Sequence, residues 1–194
     1  MNNKRVLVIG GPSAVGESTI TNEIIKLYPI FKRLTTATTR DPRLNEKEGI
    51  DYYFFNNEQF KQEIKKGNIL EYQNTRNGEV YYGSYKPDLE KNLAAGFNII
   101  INPDIVGAKY YKENYNALTI FIAPESLAQL RERHLTRDPN ITAEELDNRL
   151  NYAKDEIDKE SPFYDFIVIN KQGKLQDAVK EVEAIIKENG YILA

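Results

Sequence analysis

The chain has 194 residues, 28% of them charged, with a net charge of −3, no cysteine and a single histidine, His134. That length fits one domain, or one core with small insertions. The composition excludes disulfides and cysteine-zinc sites, leaves no general nucleic-acid or membrane-binding surface, and makes histidine-metal sites or a Ser-His-Asp triad an implausible theme. No apolar run approaches membrane-spanning length and no signal peptide precedes the first strand, so the expected setting is cytoplasmic.

The apolar run Val6-Leu7-Val8-Ile9 is followed by Gly10-Gly11-Pro12-Ser13-Ala14-Val15-Gly16-Glu17-Ser18-Thr19. Ile20, Ile24, Leu27 and Tyr28 then fall at helical spacing and predict one buried face. Strand, glycine loop and helix in this order come close to the phosphate-loop pattern G-x-x-x-x-G-K-[ST], with Gly11, Gly16 and Ser18 in register. Backbone N–H groups and the positive helix end make such a loop an anion site without any side chain. The lysine position holds Glu17, which replaces attraction for phosphate by repulsion; the alternative role for it is to favour the helix dipole.

Residues 34–43 lack an apolar stripe, carry four threonines and end in Arg40 and Arg43, a spacing suited to clamping a phosphate monoester or to a solvated loop. An aromatic segment, 49–55, precedes a short helix over about 57–66 with Phe60 and Ile64 on its apolar face. Two short strands, 69–72 and 80–84, are expected to join through a hairpin turn at Asn77-Gly78. Their tyrosines suit either a core or a planar ligand.

From residue 87 onward the pattern is helix (87–95), strand (98–101), helix (104–115), strand (118–122) and helix (126–137). This alternation of apolar strands with helices predicts an α/β fold with a parallel sheet covered on both faces. Ligands of such sheets bind beyond the carboxyl ends of the strands, where the glycine loop, Asp104 and Pro124 lie. Arg131, Arg133 and Arg137 lead to a capping box at Thr142–Glu145, with Leu146, Leu150 and Ile157 expected inward and Arg149 outward. That stretch reads as an arginine-bearing lid or as a charged helix face. A buried strand at 166–170 and a helix marked by Leu175, Val179, Val182 and Ile186 complete the chain.

Taken together these segments resemble guanylate kinase over nearly the whole chain. The resemblance is carried by Gly-Pro-Ser-Ala-Val-Gly at 11–16, Thr-Thr-Arg-Asp-Pro-Arg at 38–43, Gly-Ile-Asp-Tyr at 49–52, Leu-Glu-Tyr at 70–72, Tyr-Tyr-Gly-Ser at 81–84 and Asp-Ile-Val-Gly-Ala-Lys at 104–109. It implies a phosphate-loop three-layer fold with a core at about 1–34, 86–130 and 150–194, a small β-rich GMP-binding insertion at about 35–85 and a lid at about 131–149. It further implies transfer of the γ-phosphate of ATP, with Mg²⁺, to GMP. Arg40, Arg43, Tyr52 and Tyr82 would hold the GMP phosphate, and Glu71, Ser84 and Asp104 would read guanine, whose N1–H and amine suit carboxylate acceptors. Thr36 stands where serine is usual.

On the ATP side the resemblance assigns the phosphates to Gly11, Ser13, Ala14, Val15, Gly16, Ser18 and Thr19, with Ser18 also on the metal. It places Asn170 near adenine and gives the transfer step to Arg133, Arg137 and Arg149. Departures gather at this end: Glu17 for lysine, Ala14 for glycine, Asn102 for aspartate and Val106 for glutamine. Glu17 is accordingly the catalytic position expected to impair transfer. The alternative is a non-catalytic module that binds GMP or a protein partner. Monomer and homodimer are both compatible with the sequence.

Overall fold

The computed structural model describes residues 4–75 and 79–193, so the expected Asn77-Gly78 turn lies outside the described residues. In chain order the elements are β1 (Val6–Gly10), α1 (Glu17–Leu27), β2 (Phe31–Arg33), β3 (Thr36–Thr38), β4 (Tyr53–Phe54), α2 (Asn57–Lys65), β5 (Ile69–Thr75), β6 (Val80–Tyr85) and α3 (Lys86–Ala94). They continue with β7 (Asn98–Ile101), α4 (Ile105–Tyr115), β8 (Leu118–Pro124), α5 (Leu127–Arg137), α6 (Ala143–Asp155), β9 (Phe166–Asn170) and α7 (Leu175–Glu188). A central parallel sheet of five strands has the order β2-β7-β1-β8-β9, and a four-stranded sheet the order β4-β3-β6-β5. The chain divides into two compact units, residues 1–31 with 100–194, and residues 32–99.

In the first unit, β1 is buried at every position and pairs in parallel with β8, Leu7 opposite Leu118 and Gly10 opposite Phe121. A run of apolar residues without alternation can be satisfied only by cover on both faces. The core gathers Leu7, Ile9, Ile20, Ile24, Ile120, Ile122, Val168, Val179, Val182 and Ile186 from these strands, α1 and α7. Two expectations change here. Leu27 is 53% exposed while Thr21 is buried, so the inward stripe of α1 runs Ile20-Thr21-Ile24. β9 is the edge strand, and Ile167 and Ile169 are about half exposed while Val168 and Asn170 are buried.

α6 ends in a turn of π-helix, Glu156–Glu160, where Ile157 is only partly buried. Such turns are rare and offset the side chains that follow. Burial, then the neighbouring Glu160 charge, pushes the Glu156 carboxyl up to about 7. The folded chain keeps that proton while the unfolded chain releases it near 4.5, so stability declines as pH rises through this window. Glu156→Gln is therefore expected to raise the melting temperature above about pH 7 and to leave it nearly unchanged below about pH 4.5. An equal shift at both ends in a thermal melt contradicts this.

The second unit is built on β6, which lies antiparallel to β3 (Thr36 opposite Ser84, Thr38 opposite Tyr82) and to β5 (Gln73 opposite Tyr82). Alternation along β6 therefore puts Tyr82 and Ser84 on one face. Ala37, Phe60 and Ile69 form a small core beneath Tyr53, Phe55, Ile64, Tyr81 and Tyr85. α2 is held by a capping box between Asn56 and Gln59. Buried Asp88 accepts from Thr35 N (3.0 Å) and Tyr53 Oη (3.1 Å).

Candidate active site

The first unit carries the loop that follows β1. Val15 N donates to Pro12 O (3.0 Å), closing the turn, and α1 starts at Glu17 with Gly16 as its cap. A Cβ on Gly11 (φ 153°) would meet Ile122 O at 2.4 Å, and one on Gly16 (φ 100°) would meet Asn170 Nδ2 at 2.7 Å. Both positions need glycine for conformation and for space. Ala14 has φ 69° in the same loop, so the methyl that replaces a hydrogen there sits in the left-handed region, at a cost of about 1 kcal/mol.

A cleft of about 670 Å³ opens beside the loop, lined by Ser13, Ala14, Gly16 to Thr19, Arg133, Thr136, Arg137 and Asn170 to Gly173. The three arginines expected to close on phosphate have different partners. Arg133 Nη1 donates to Val15 O (2.6 Å) and Nη2 to Asn170 O (3.4 Å), which ties α5 to the loop backbone. Burial lowers its pKa from the ordinary guanidinium value. Arg137 Nη2 donates to Ser13 Oγ (3.3 Å) at the cleft. Arg149, from α6, reaches Glu145 (2.5 Å).

Asn170 donates through Nδ2 to Val15 O (2.7 Å), while its Oδ1 is buried without a hydrogen-bond partner. Asn102 Nδ2 donates to Ile9 O (2.9 Å) and to Thr21 Oγ1 (3.1 Å). A carboxylate could not make the Ile9 bond, so the amide has a local role in tying β1 to α1. Val106 lies exposed in the first turn of α4, which Asp104 caps by accepting from Gly107 N (2.9 Å). Burial, then the charges of Glu160, Glu17, Asp104 and Glu156, raise the phenol pKa of Tyr164. For a magnesium ion, the hydroxyl oxygen of Ser18 at the start of α1 would be the protein donor, which fits an ion that keeps most of its waters.

The second unit carries Thr36, Arg40, Arg43, Tyr52, Glu71, Tyr82 and Ser84. Arg40 forms a two-pronged pair with Glu46, Nη1 to Oε2 and Nη2 to Oε1, both 2.7 Å. Its guanidinium carbon lies 4.9 Å from the centre of the Tyr52 ring, and Tyr52 packs edge-on to Tyr82 at 6.1 Å. Glu46 also accepts from Arg43 N (2.8 Å), and the Arg40 guanidinium holds its carboxyl down at about 2. The opposite edge of Arg40 begins with Nε, which is buried and makes no hydrogen bond. On the same face of the sheet Ser84 Oγ donates to Glu71 Oε1 (2.5 Å), with Thr36 paired opposite Ser84.

The sequence reading passed over Glu46, although the run Arg40, Arg43, Glu46 at three-residue steps was available as a charge signal. Lys171, which lines the cleft, carries no signal in the sequence that marks it.

The family model described as guanylate kinase matches residues 3–189. A guanylate kinase of Clostridium perfringens is 38% identical over 187 residues, covering 95% of this chain and 84% of its own. One from Bacteroides fragilis is 36% identical over 190 residues, covering 95% and 89%. The crystal structure of guanylate kinase from Anaplasma phagocytophilum superposes with a TM-score of 0.74 at 26% identity, over 98% of this chain and 88% of that one.

Proposed function

The chain belongs to the guanylate kinase family, and on that premise we propose that it transfers the γ-phosphate of ATP to GMP at a rate limited by Glu17. The observation that carries the reading is the acceptor surface. Arg40 is clamped by Glu46, laid against Tyr52 and hydrogen-bonded with Tyr82, and Ser84 and Glu71 stand on the same sheet. Arg40, with Arg43, Tyr52 and Tyr82, takes the phosphate of GMP. Ser84 and Glu71, with Thr36, accept from guanine N1–H and its amine. Adenine offers no such pair of donors.

For ATP, the backbone N–H groups of the loop, apart from Pro12, which has none, and Val15, which donates to Pro12 O, cradle the phosphates together with those of the first turn of α1 and with Ser13, Ser18 and Thr19. The buried Asn170 Oδ1 accepts the exocyclic amine of adenine, the donor it lacks in the free protein. Ser18 would hold a magnesium ion bound with ATP, which would supply neutralisation of phosphate charge. An oxygen of the GMP phosphate attacks γ-phosphorus as the bond to the bridging oxygen of ADP breaks, so GDP and ADP form and no proton need move. Arg137 and Arg149 meet the transferring group, since such a step requires alignment and charge neutralisation above all. Arg133 keeps the loop in place. In this reading residues 35–85 act as the acceptor region and 131–149 as the lid, in a cytoplasmic enzyme with no nucleic-acid or membrane role. No helix among the described residues is long and apolar enough to cross a membrane.

A coupled ADP-release assay with ATP, Mg²⁺ and either GMP or AMP tests this. ADP formation is expected to depend on GMP, with AMP poorer by at least about a hundredfold, because AMP leaves the guanine acceptors unpaired. Equal rates with AMP, or no ADP from either this protein or Glu17→Lys while GMP still binds, contradict the reading; the latter leaves a GMP-binding module.

A further inference from the structure

His134 is the chain's one histidine, and it is 1% exposed on α5. Its Nδ1 lies 3.4 Å from Arg137 Nη2, one turn along its own helix, and 3.5 Å from Arg149 Nη1, brought in by α6. Both neighbours are obligate donors, so Nδ1 can serve them only as an unprotonated acceptor, and the ring's single proton must sit on Nε2. Nε2 is buried and makes no hydrogen bond.

We propose that His134 is a positioning residue for the transfer step: its neutral imidazole gathers Arg137 and Arg149 at one acceptor in the nucleotide-free protein and hands them to the ATP phosphates, and protonation of the ring disperses them. The inference rests on the reading of these two arginines as the groups that meet the transferring phosphate.

Three features support it. First, two like charges share a single lone pair, an arrangement that a neutral acceptor permits and an imidazolium forbids, because Nδ1–H would then point at both cations. Second, the contacts are long, and each arginine has another anchor: Ser13 Oγ on the loop for Arg137 and Glu145 for Arg149. Contacts of this kind yield readily to phosphate oxygens, whose charge-assisted bonds are about twice as strong as neutral ones. Third, the electrostatics agree with the geometry. Burial, then Arg137 from α5 and Arg149 from α6, lower the pKa of the ring below its ordinary 6.5, opposed by the Ser13 backbone of the loop. A histidine whose pKa is lowered by folding binds its proton more readily in the unfolded chain. Its share of stability is therefore present above 6.5 and is lost as pH falls from there through the folded value.

The single histidine makes the test direct, because its imidazole signals need no assignment. In NMR of the nucleotide-free protein, His134 is expected to titrate below 6.5 as the Nε2–H tautomer, and Arg137→Ala and Arg149→Ala are each expected to move the titration upward. An unchanged titration in both variants, or an Nδ1–H tautomer, overturns the proposal. In the ADP-release assay near neutral pH, His134→Leu is expected to lower kcat by about tenfold with KM for GMP within about twofold. His134→Asn, whose amide oxygen supplies an acceptor near Nδ1, is expected to recover most of that rate and to lose the acid limb caused by the ring. A Leu variant as fast as the parent, or an Asn variant no better than Leu, also overturns it. The titration needs no turnover, so a protein that forms no ADP contradicts the proposed function while leaving the imidazole result to stand or fall separately.

Discussion

Glu17→Lys is expected to raise phosphoryl transfer by at least about a hundredfold, equivalent to about 3 kcal/mol of transition-state stabilisation. The loop keeps what an anion site needs from the backbone: its turn is closed, its glycines occupy positions that side chains would block, and α1 points its positive end at the cleft. The side chain at position 17 then decides the sign of the nearest charge. At an effective dielectric of about 20, one unit pair at about 4 Å is worth roughly 4 kcal/mol, so exchanging carboxylate for ammonium is worth several. Magnesium and rotation of the side chain away from phosphate reduce that figure, which is why the lower bound is set at a hundredfold. The readout is kcat in the ADP-release assay at saturating GMP. An unchanged kcat removes position 17 from the rate-limiting electrostatics.

Arg40→Ala carries the second large effect, a loss of GMP affinity of about a hundredfold. A hydrogen bond to a charged group is worth about 1.5 to 3 kcal/mol, and the upper end applies here because of Glu46. With Arg40 gone, the Glu46 carboxylate remains, accepts from Arg43 N and faces the incoming phosphate with no guanidinium between them. The double variant Arg40→Ala, Glu46→Ala is therefore expected to bind GMP about tenfold better than Arg40→Ala alone, the non-additivity of residues that act as a pair. Binding is read by calorimetry without ATP. Equal affinity in Arg40→Ala and the parent excludes the arginine from the site, and equal affinity in the single and double variants excludes the repulsion. The pairing is also expected to keep its share of folding stability through mildly acidic pH. The Glu46 pKa is lowered on folding from 4.5 to about 2, so its contribution is complete above 4.5 and fades only as pH falls through about 2.

Much of the fold was legible because burial leaves a periodic mark. The unbroken apolar run of β1, the mostly apolar β8, the glycines at 11 and 16, and the cap at Thr142 each announce a local structure that the fold contains. What was not legible depends on neighbours distant in sequence. Phe166 to Asn170 reads as a fully buried strand, yet it falls at a sheet edge, because apolarity does not tell whether the next strand exists. Arg133 and Arg137 look equivalent on the helix, but one is drawn to the loop carbonyls and the other to a loop hydroxyl. The choice of partner is decided by tenths of an ångström that no spacing rule records. The same is true of Glu46, whose role emerges only when its two oxygens meet both Nη atoms of Arg40, and of His134, which composition alone dismissed.

We propose that the acceptor half is intact and the donor half is weakened at one charge, that of Glu17. Calorimetric titration of GMP, and separately of ATP with Mg²⁺, into this protein and into Glu17→Lys tests that most directly. The predicted result is GMP affinity in the range of about micromolar in both proteins, with ATP at least about tenfold weaker in this chain than in the lysine variant. Absence of GMP binding, or the same ATP affinity in both proteins, would contradict it.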